Sequence, residues 1–225
     1  MCGRFTLTDP VEALVRLFSA APGNDLPPVP RYNICPTQTV VAVISQPTDS
    51  GPQRRLTAMR WGFVPQWYDS PTDGPLIINA RSDTVATKPA FRAAIRTRRC
   101  LIPASGFYEW SQGPGDSRLP WYIRNADGTP LAIAGLWQDW TRGDQTLTCC
   151  AMLTVDAGPA MAGIHHREPL TLTPDDWPLW LGEAGLGAAR LMQAAPPGRL
   201  IAHRVATTVN SNRASGPELI EPVSG

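Results

Sequence analysis

The chain has 225 residues, 43% of them hydrophobic, and a net charge of +1. That is enough for one globular domain with a sizeable core, or for two small ones. The near-neutral charge carries no global signature of a nucleic-acid binder, and no apolar run reaches the length of a membrane span. Five cysteines without paired spacing, and no signal-peptide pattern, predict a reducing, cytosolic setting. With three histidines and neither CxxC nor HExxH, no metal or other cofactor is expected. Nineteen of the twenty basic residues are arginine, and Lys88 is the only lysine. Forked phosphate contacts would favour this bias; GC-rich coding would produce it equally.

Met1-Cys2-Gly3-Arg4-Phe5 opens the chain. If Met1 is removed, Cys2 carries a free α-amine and a thiol on adjacent carbons, both partly nucleophilic near neutral pH. Such a pair condenses with an aldehyde, first to an imine and then to a five-membered thiazolidine. Otherwise Cys2 is an incidental exposed thiol. Asp9-Pro10, with Glu12, reads as a capped helix start, and Val11, Leu14, Val15 and Phe18 share one face of the helix that follows. The Pro-rich run 22–30 ends it. Tyr32 to Pro36 reads as a loop before a strand over 40–45. Residues 46–55 read as a polar hairpin connection to a strand over 56–61. Trp61, Phe63, Trp67 and Tyr68 then fall in a Gly/Pro-containing stretch, either as core or as stacking platforms for bases.

An apolar strand at Ile77-Ile78 runs into Asn79-Ala80-Arg81-Ser82. Lys88-Pro89 predicts another helix, with Phe91 and Ile95 inward. Its arginines 92, 96, 98 and 99 form either a basic patch or a solvated face. Cys100–Pro103 and Gly106–Trp110 read as short strands around a turn. Glu109 lies among aromatics there, either with a raised pKa suited to acid–base work or pointing at water. A flexible loop is expected over 112–119, then strands over 121–123, 131–137, 146–154, 170–172 and 200–205. Helix starts are expected at Thr173-Pro174 and near Leu186, and loops at the C-terminal end. His165-His166 follow a Gly/Ala/Met loop. No internal repeat or clean linker appears. One α+β domain spanning 1–225 is the simplest reading.

Several segments together resemble the SRAP (SOS-response-associated peptidase) family, whose members shield abasic sites in single-stranded DNA. They are Met1-Cys2-Gly3-Arg4-Phe5, Tyr32-Asn33-Ile34 with Pro36, Arg60-Trp61-Gly62 with Val64-Pro65 and Trp67, and Asn79-Ala80-Arg81-Ser82. Arg99-Cys100-Leu101-Ile102-Pro103, Gly106-Phe107-Tyr108-Glu109-Trp110, Gly135-Leu136-Trp137 and Ile164-His165-His166-Arg167 with Pro169 complete the set. They occur in the family's order across nearly the whole chain. The resemblance implies a twisted, barrel-like antiparallel β-sheet with flanking helices and a basic groove for single-stranded DNA. It implies catalytic roles for Cys2, Asn79, Glu109 and His165, and DNA contacts from Arg4, Trp67 and Arg81. The partner so implied is single-stranded DNA carrying an abasic site, met by a monomer without a membrane. The sequence departs from the family pattern at Cys35, Ser111-Gln112, Gln138 and Glu168.

The chemistry expected from the resemblance is a covalent thiazolidine between Cys2 and the deoxyribose aldehyde, after autocatalytic or assisted loss of Met1. Two other classes compete with it. One is a thiol peptidase or hydrolase using Cys2 with His165. The other is a non-covalent single-strand binder that would tolerate loss of Cys2. A lysine Schiff-base lyase would have to use Lys88, the only internal amine, which has no acid–base groups beside it in sequence.

Overall fold

Two β-sheets share the chain, and Ser105 is where it crosses between them. The computed structural model describes residues 2–23 and 25–223. In chain order the elements are β1 (Arg4–Leu7), α1 (Val11–Phe18), β2 (Ala20–Ala21), β3 (Arg31–Ile34), β4 (Thr39–Thr48), β5 (Gly51–Trp61) and β6 (Asn79–Arg81). There follow α2 (Ala94–Thr97), β7 (Arg99–Ala104), β8 (Gly106–Gln112), β9 (Arg118–Asn125), β10 (Leu131–Arg142) and β11 (Gln145–Asp156). The chain ends with β12 (Arg167–Pro169), β13 (Thr171–Leu172), α3 (Trp177–Leu181) and β14 (Leu200–Arg204). One sheet has the order β14-β9-β8-β1-β3. In the other, the hydrogen-bonded path β5-β4-β7-β10-β11 returns to β5, because Cys149 and Cys150 of β11 pair in parallel with Arg60 and Trp61. That closure makes a barrel and removes the free edges an open sheet would present. The expected α+β class and barrel-like sheet are therefore what the chain forms.

The tryptophans answer part of the core-or-stacking question. Trp61, Trp140 and Trp180 are fully buried. Their indole N–H groups donate to the carbonyls of Ile78, Tyr68 and Cys100 at 2.9–3.0 Å, so their burial leaves no donor unpaired. Trp67 differs: it is 56% exposed. All five cysteines are free and buried. Burial pushes the Cys149 thiol up to about 11 and raises Cys100 and Cys150 as well, which keeps these thiols in their unreactive form.

Several sequence expectations need correction. Asp9 does not cap α1; its carboxylate accepts the Ser105 hydroxyl at 2.7 Å, and Pro10 takes the N-cap position without a side-chain cap. Ser105 also accepts from the backbone N–H and hydroxyl of Thr8, so Asp9 ties the helix entry to the sheet crossover. The helix face is as expected, with Leu14 and Phe18 buried. Residues 46–55 are no long connection: β4 and β5 pair from Thr39↔Arg60 to Thr48↔Gly51. The outer arms of this hairpin are solvated on both faces, so no apolar period marks them as strand. Residues 31–34 form β3 rather than a loop. The helix expected from Lys88 shortens to α2, a single turn before the chain feeds into β7. Arg99 donates to the carbonyls of Ile95, Arg96 and Trp180, so it holds helix ends rather than a basic patch. The helix near Leu186 is only a 3-10 turn over Ala188–Leu191, following Gly187 at φ 109°. The C-terminal loops contain 3-10 turns at Thr207–Asn210 and Pro217–Ile220. No helix among the described residues is long and apolar enough to cross a membrane.

Gly106, the first residue after the crossover, is fixed by sterics. A Cβ there would sit 2.4 Å from the ring and hydroxyl of Tyr122 and 2.7 Å from the Ile123 carbonyl. Tyr122 cannot swing away freely, since its hydroxyl is 2.8 Å from Thr6 Oγ1 inside the sheet. Gly106→Ala is expected to lower unfolding free energy by about 3 kcal/mol, the upper end for overpacking. Urea denaturation checks this, and an unchanged midpoint would contradict the steric account.

Candidate functional site

Four of the residues singled out in the sequence, Cys2, Asn79, Glu109 and His165, are brought together from both sheets, while Trp67 and Arg81 do not line the cleft beside them. In β1 and β8 the register pairs Arg4 with Tyr108 and Phe5 with Phe107. Carried one residue on, it sets Glu109 opposite Gly3, next to Cys2. On the other sheet β6 and β12 flank β11: Met152 pairs with Asn79, Thr154 with Arg81 and with Pro169. That brings Asn79 and the loop bearing His165 to the same strand. Asn79 joins the two halves directly, donating from Nδ2 to the Cys2 carbonyl at 2.9 Å. Its Oδ1 is buried and accepts no hydrogen bond among the described residues.

Cys2 and Glu109 are each only 1% exposed. Cys2 Sγ lies 3.7 Å from the Arg4 carbonyl. Burial raises the Cys2 thiol pKa, and the Glu109 carboxylate raises it further. His165 is half-buried, and desolvation lowers its pKa, while Glu109 pulls the other way by favouring imidazolium. Its Nδ1 accepts the Arg167 backbone N–H at 3.0 Å, and His166 stacks on it with ring centroids 4.2 Å apart. Glu109 therefore acts electrostatically on both Cys2 and His165. With the Asn79 amide on the Cys2 backbone, this electrostatic coupling of carboxylate, thiol and imidazole makes a grouping suited to proton transfer at a carbonyl.

A cleft of about 520 Å³ reaches Glu109 of this group and is lined by Gly3, Arg4, Glu109, Trp110, Arg118 and Asn210. Arg4 and Arg118 both lie over the Trp110 ring, at 6.0 and 5.6 Å from its centroid. Trp110 Nε1 donates to Asn210 Oδ1 at 2.7 Å. Arg4 is partly spoken for: it donates to Asn33 Oδ1 at 2.8 Å and to the Val209 carbonyl at 3.0 Å. Arg81 is exposed and paired with Asp83 at 2.7 Å. Lys88 lies in an exposed turn, its backbone N–H on the Thr84 carbonyl, and does not line the cleft.

The sequence model for the family described as SOS response associated peptidase (SRAP) matches residues 1–212. The chain belongs to that family. Among its SRAP relatives, it is 32% identical to the abasic site processing protein YoqW of Bacillus subtilis, covering 98% of this chain and 99% of that one. It is 31% identical to the abasic site processing protein YedK of Escherichia coli, over 99% and 100% of the two chains. To the abasic site processing protein HMCES of Xenopus tropicalis the identity is also 31%, over 86% of this chain and 66% of that protein. Two crystal structures share the fold. A protein from Bacteroides thetaiotaomicron superposes with a TM-score of 0.84 at 21% identity, covering 99% of this chain and all of that one. A protein from Bordetella bronchiseptica gives 0.77 at 25% identity, over 91% and 100%.

Within this SRAP chain, sequence reasoning missed Arg118 and Asn210 and left Trp110 without a role. Arg118 falls where a flexible loop was expected, yet it begins β9. Its partner across the hairpin is Gln112, and no motif marks it. Asn210 comes from a 3-10 turn about a hundred residues further along the chain. Only the folded register places both beside Trp110. The expected removal of Met1 concerns a residue outside the described set.

Proposed function

We propose that this chain captures abasic sites in single-stranded DNA covalently, through Cys2 as mature N-terminus after autocatalytic or assisted removal of Met1. The observation that carries the reading is the Asn79 Nδ2 bond to the Cys2 carbonyl at 2.9 Å, beside a buried Glu109 whose charge acts on both Cys2 and His165. Glu109 moves a proton as the deoxyribose ring opens to its aldehyde. The Cys2 amine attacks C1′ and water leaves, giving the imine. The Cys2 sulfur then bonds to C1′ and the thiol proton passes to the nitrogen. The five-membered ring contains N, Cα, Cβ, S and C1′, and the net change is loss of one water. Asn79 orients the N-terminus, with its open Oδ1 available to the amine. His165 shuttles protons at the sugar hydroxyl. With C1′ held in the ring, β-elimination and strand cleavage are blocked.

Arg4, Arg81 and Arg118 supply phosphate contacts, and Trp67 and Trp110 supply faces for bases. Cys–His hydrolysis fits this site less well. A thiolate nucleophile needs its pKa lowered, whereas burial and Glu109 raise that of Cys2. The aldehyde requirement gives a direct test. An abasic oligonucleotide first capped with an alkoxyamine, which ties up the aldehyde as an oxime, is expected to form no adduct while still binding. Adduct formation at the full rate on the capped strand would overturn the mechanism.

A further inference from the structure

Glu168 lies three residues past His165, in β12, and its side chain is fully buried. Both carboxylate oxygens are engaged: Oε2 accepts the Gly158 N–H at 2.8 Å and Oε1 the Ala195 N–H at 2.7 Å. Gly158 opens the loop that carries His165. The loop is closed at its base by the Ala157 N–H on the His166 carbonyl at 3.1 Å. From Gly158 a relay of backbone bonds leads inward. The Met161 N–H donates to the Gly158 carbonyl at 3.0 Å, and the His165 N–H donates to the Met161 carbonyl at 3.0 Å. The loop is otherwise rich in small residues, Ala157, Gly158, Ala160, Ala162 and Gly163, and Met161 is its deeply buried side chain. Glycine and alanine restrict a backbone little by packing, so the clamp at Gly158 does much to set the loop's path. A Cβ on Gly158 would approach the Ala195 carbonyl to 3.0 Å and Glu168 Oε2 to 3.3 Å, which shows how closely these segments meet.

We infer that Glu168 is a positioning residue for His165: its carboxylate clamps the base of the 157–166 loop to the segment at Ala195 and thereby fixes where the imidazole points. This rests on the reading of His165 as a proton shuttle. Removing the carboxylate leaves two buried N–H groups without an acceptor. Glu168→Gln keeps one acceptor but sets its NH2 against the other N–H. Glu168→Met fills similar volume and offers no acceptor, so its effect is the larger.

The test compares wild type, Glu168→Gln, Glu168→Met, His165→Ala and the Glu168→Met/His165→Ala double variant. The readouts are rate constants for adduct formation and release on an abasic oligonucleotide, affinity for the undamaged strand, and NMR of the His165 ring. Glu168→Met is expected to slow the His165-dependent step about tenfold, as sub-ångström misplacement does, and Glu168→Gln less. Affinity for the undamaged strand is expected to hold, the His165 ring resonances to move, and Glu168→Met to slow nothing further in the His165→Ala background. The inference is overturned if Glu168→Met slows His165→Ala as much as wild type, or leaves both the rate and the ring resonances unchanged. If His165→Ala itself alters neither formation nor release, the shuttle role fails instead. Positioning is then decided by the ring resonances alone: moved, they support the clamp; unmoved, they overturn it.

Discussion

Cys2→Ala abolishes the heat-stable adduct between this protein and a single-stranded oligonucleotide with one abasic site, and leaves binding to the undamaged strand nearly unchanged. Both halves of this expected result follow from the site. Alanine retains the α-amine but has no sulfur to close the ring, so the reaction stops at an imine that water reverses. The Cys2 side chain is buried and does not line the cleft. The side chains proposed to meet DNA, Arg4, Arg81, Arg118, Trp67 and Trp110, are untouched. The remaining binding is expected to weaken as salt is added, as the proposed arginine–phosphate contacts require. Denaturing gels with and without heating, alongside fluorescence anisotropy across a salt series, read both. A heat-stable adduct in Cys2→Ala at the wild-type level would assign the bond to another nucleophile, and Lys88 would be the first to examine.

Glu109→Gln is expected to slow adduct formation by about 10²–10⁴-fold, the usual worth of a positioned general acid–base. Glutamine preserves the volume of a side chain that is only 1% exposed, so the fold should persist and the loss should be chemical. The substitution also removes a buried charge that raises both the Cys2 thiol and His165. The direction for His165 can be worked out. Desolvation already lowers it below the ordinary value of about 6.5, so the neutral imidazole predominates at pH 7. A step that needs the neutral form falls off as pH drops through that lowered value. The carboxylate favours imidazolium, so in Glu109→Gln the low-pH inflection moves further down. Single-turnover rates across pH, with NMR titration of the His165 ring, check rate and direction together. An unchanged rate would remove Glu109 from the mechanism, and an upward shift of the inflection would contradict its electrostatic role.

Much of the core sheet was legible because its strands are half-buried or fully buried and carry strong apolar patterns. Leu131–Trp137 and Thr146–Thr154 both lie within real strands, β10 and β11. What escaped were stretches where pairing continues without burial. The arms of β4 and β5 beyond Ile44 and before Leu56 are almost wholly polar on both faces, so sequence shows a loop where the ladder persists to Thr48↔Gly51. Helix ends were misread for a related reason. Asp9 has the side chain of a cap, but Ser105, ninety-six positions away, competes for it. At the site, the motif segments could be read one by one, yet their meeting point could not. The pairing of β11 with both β6 and β12 brings Asn79 and the His165 loop together, and long-range register is absent from any local pattern. Arg118 illustrates the limit: an arginine beside a glycine-rich turn is unremarkable until β9 lays it over Trp110.

The most direct test of the covalent reading is intact mass spectrometry of the purified protein, alone and after incubation with a single-stranded oligonucleotide bearing one abasic site. The expected spectrum shows the protein without Met1, and then a new species equal to that protein plus the oligonucleotide minus one water. Retained Met1 with no species heavier than the free protein would contradict the proposal and leave the chain as a non-covalent binder or a hydrolase.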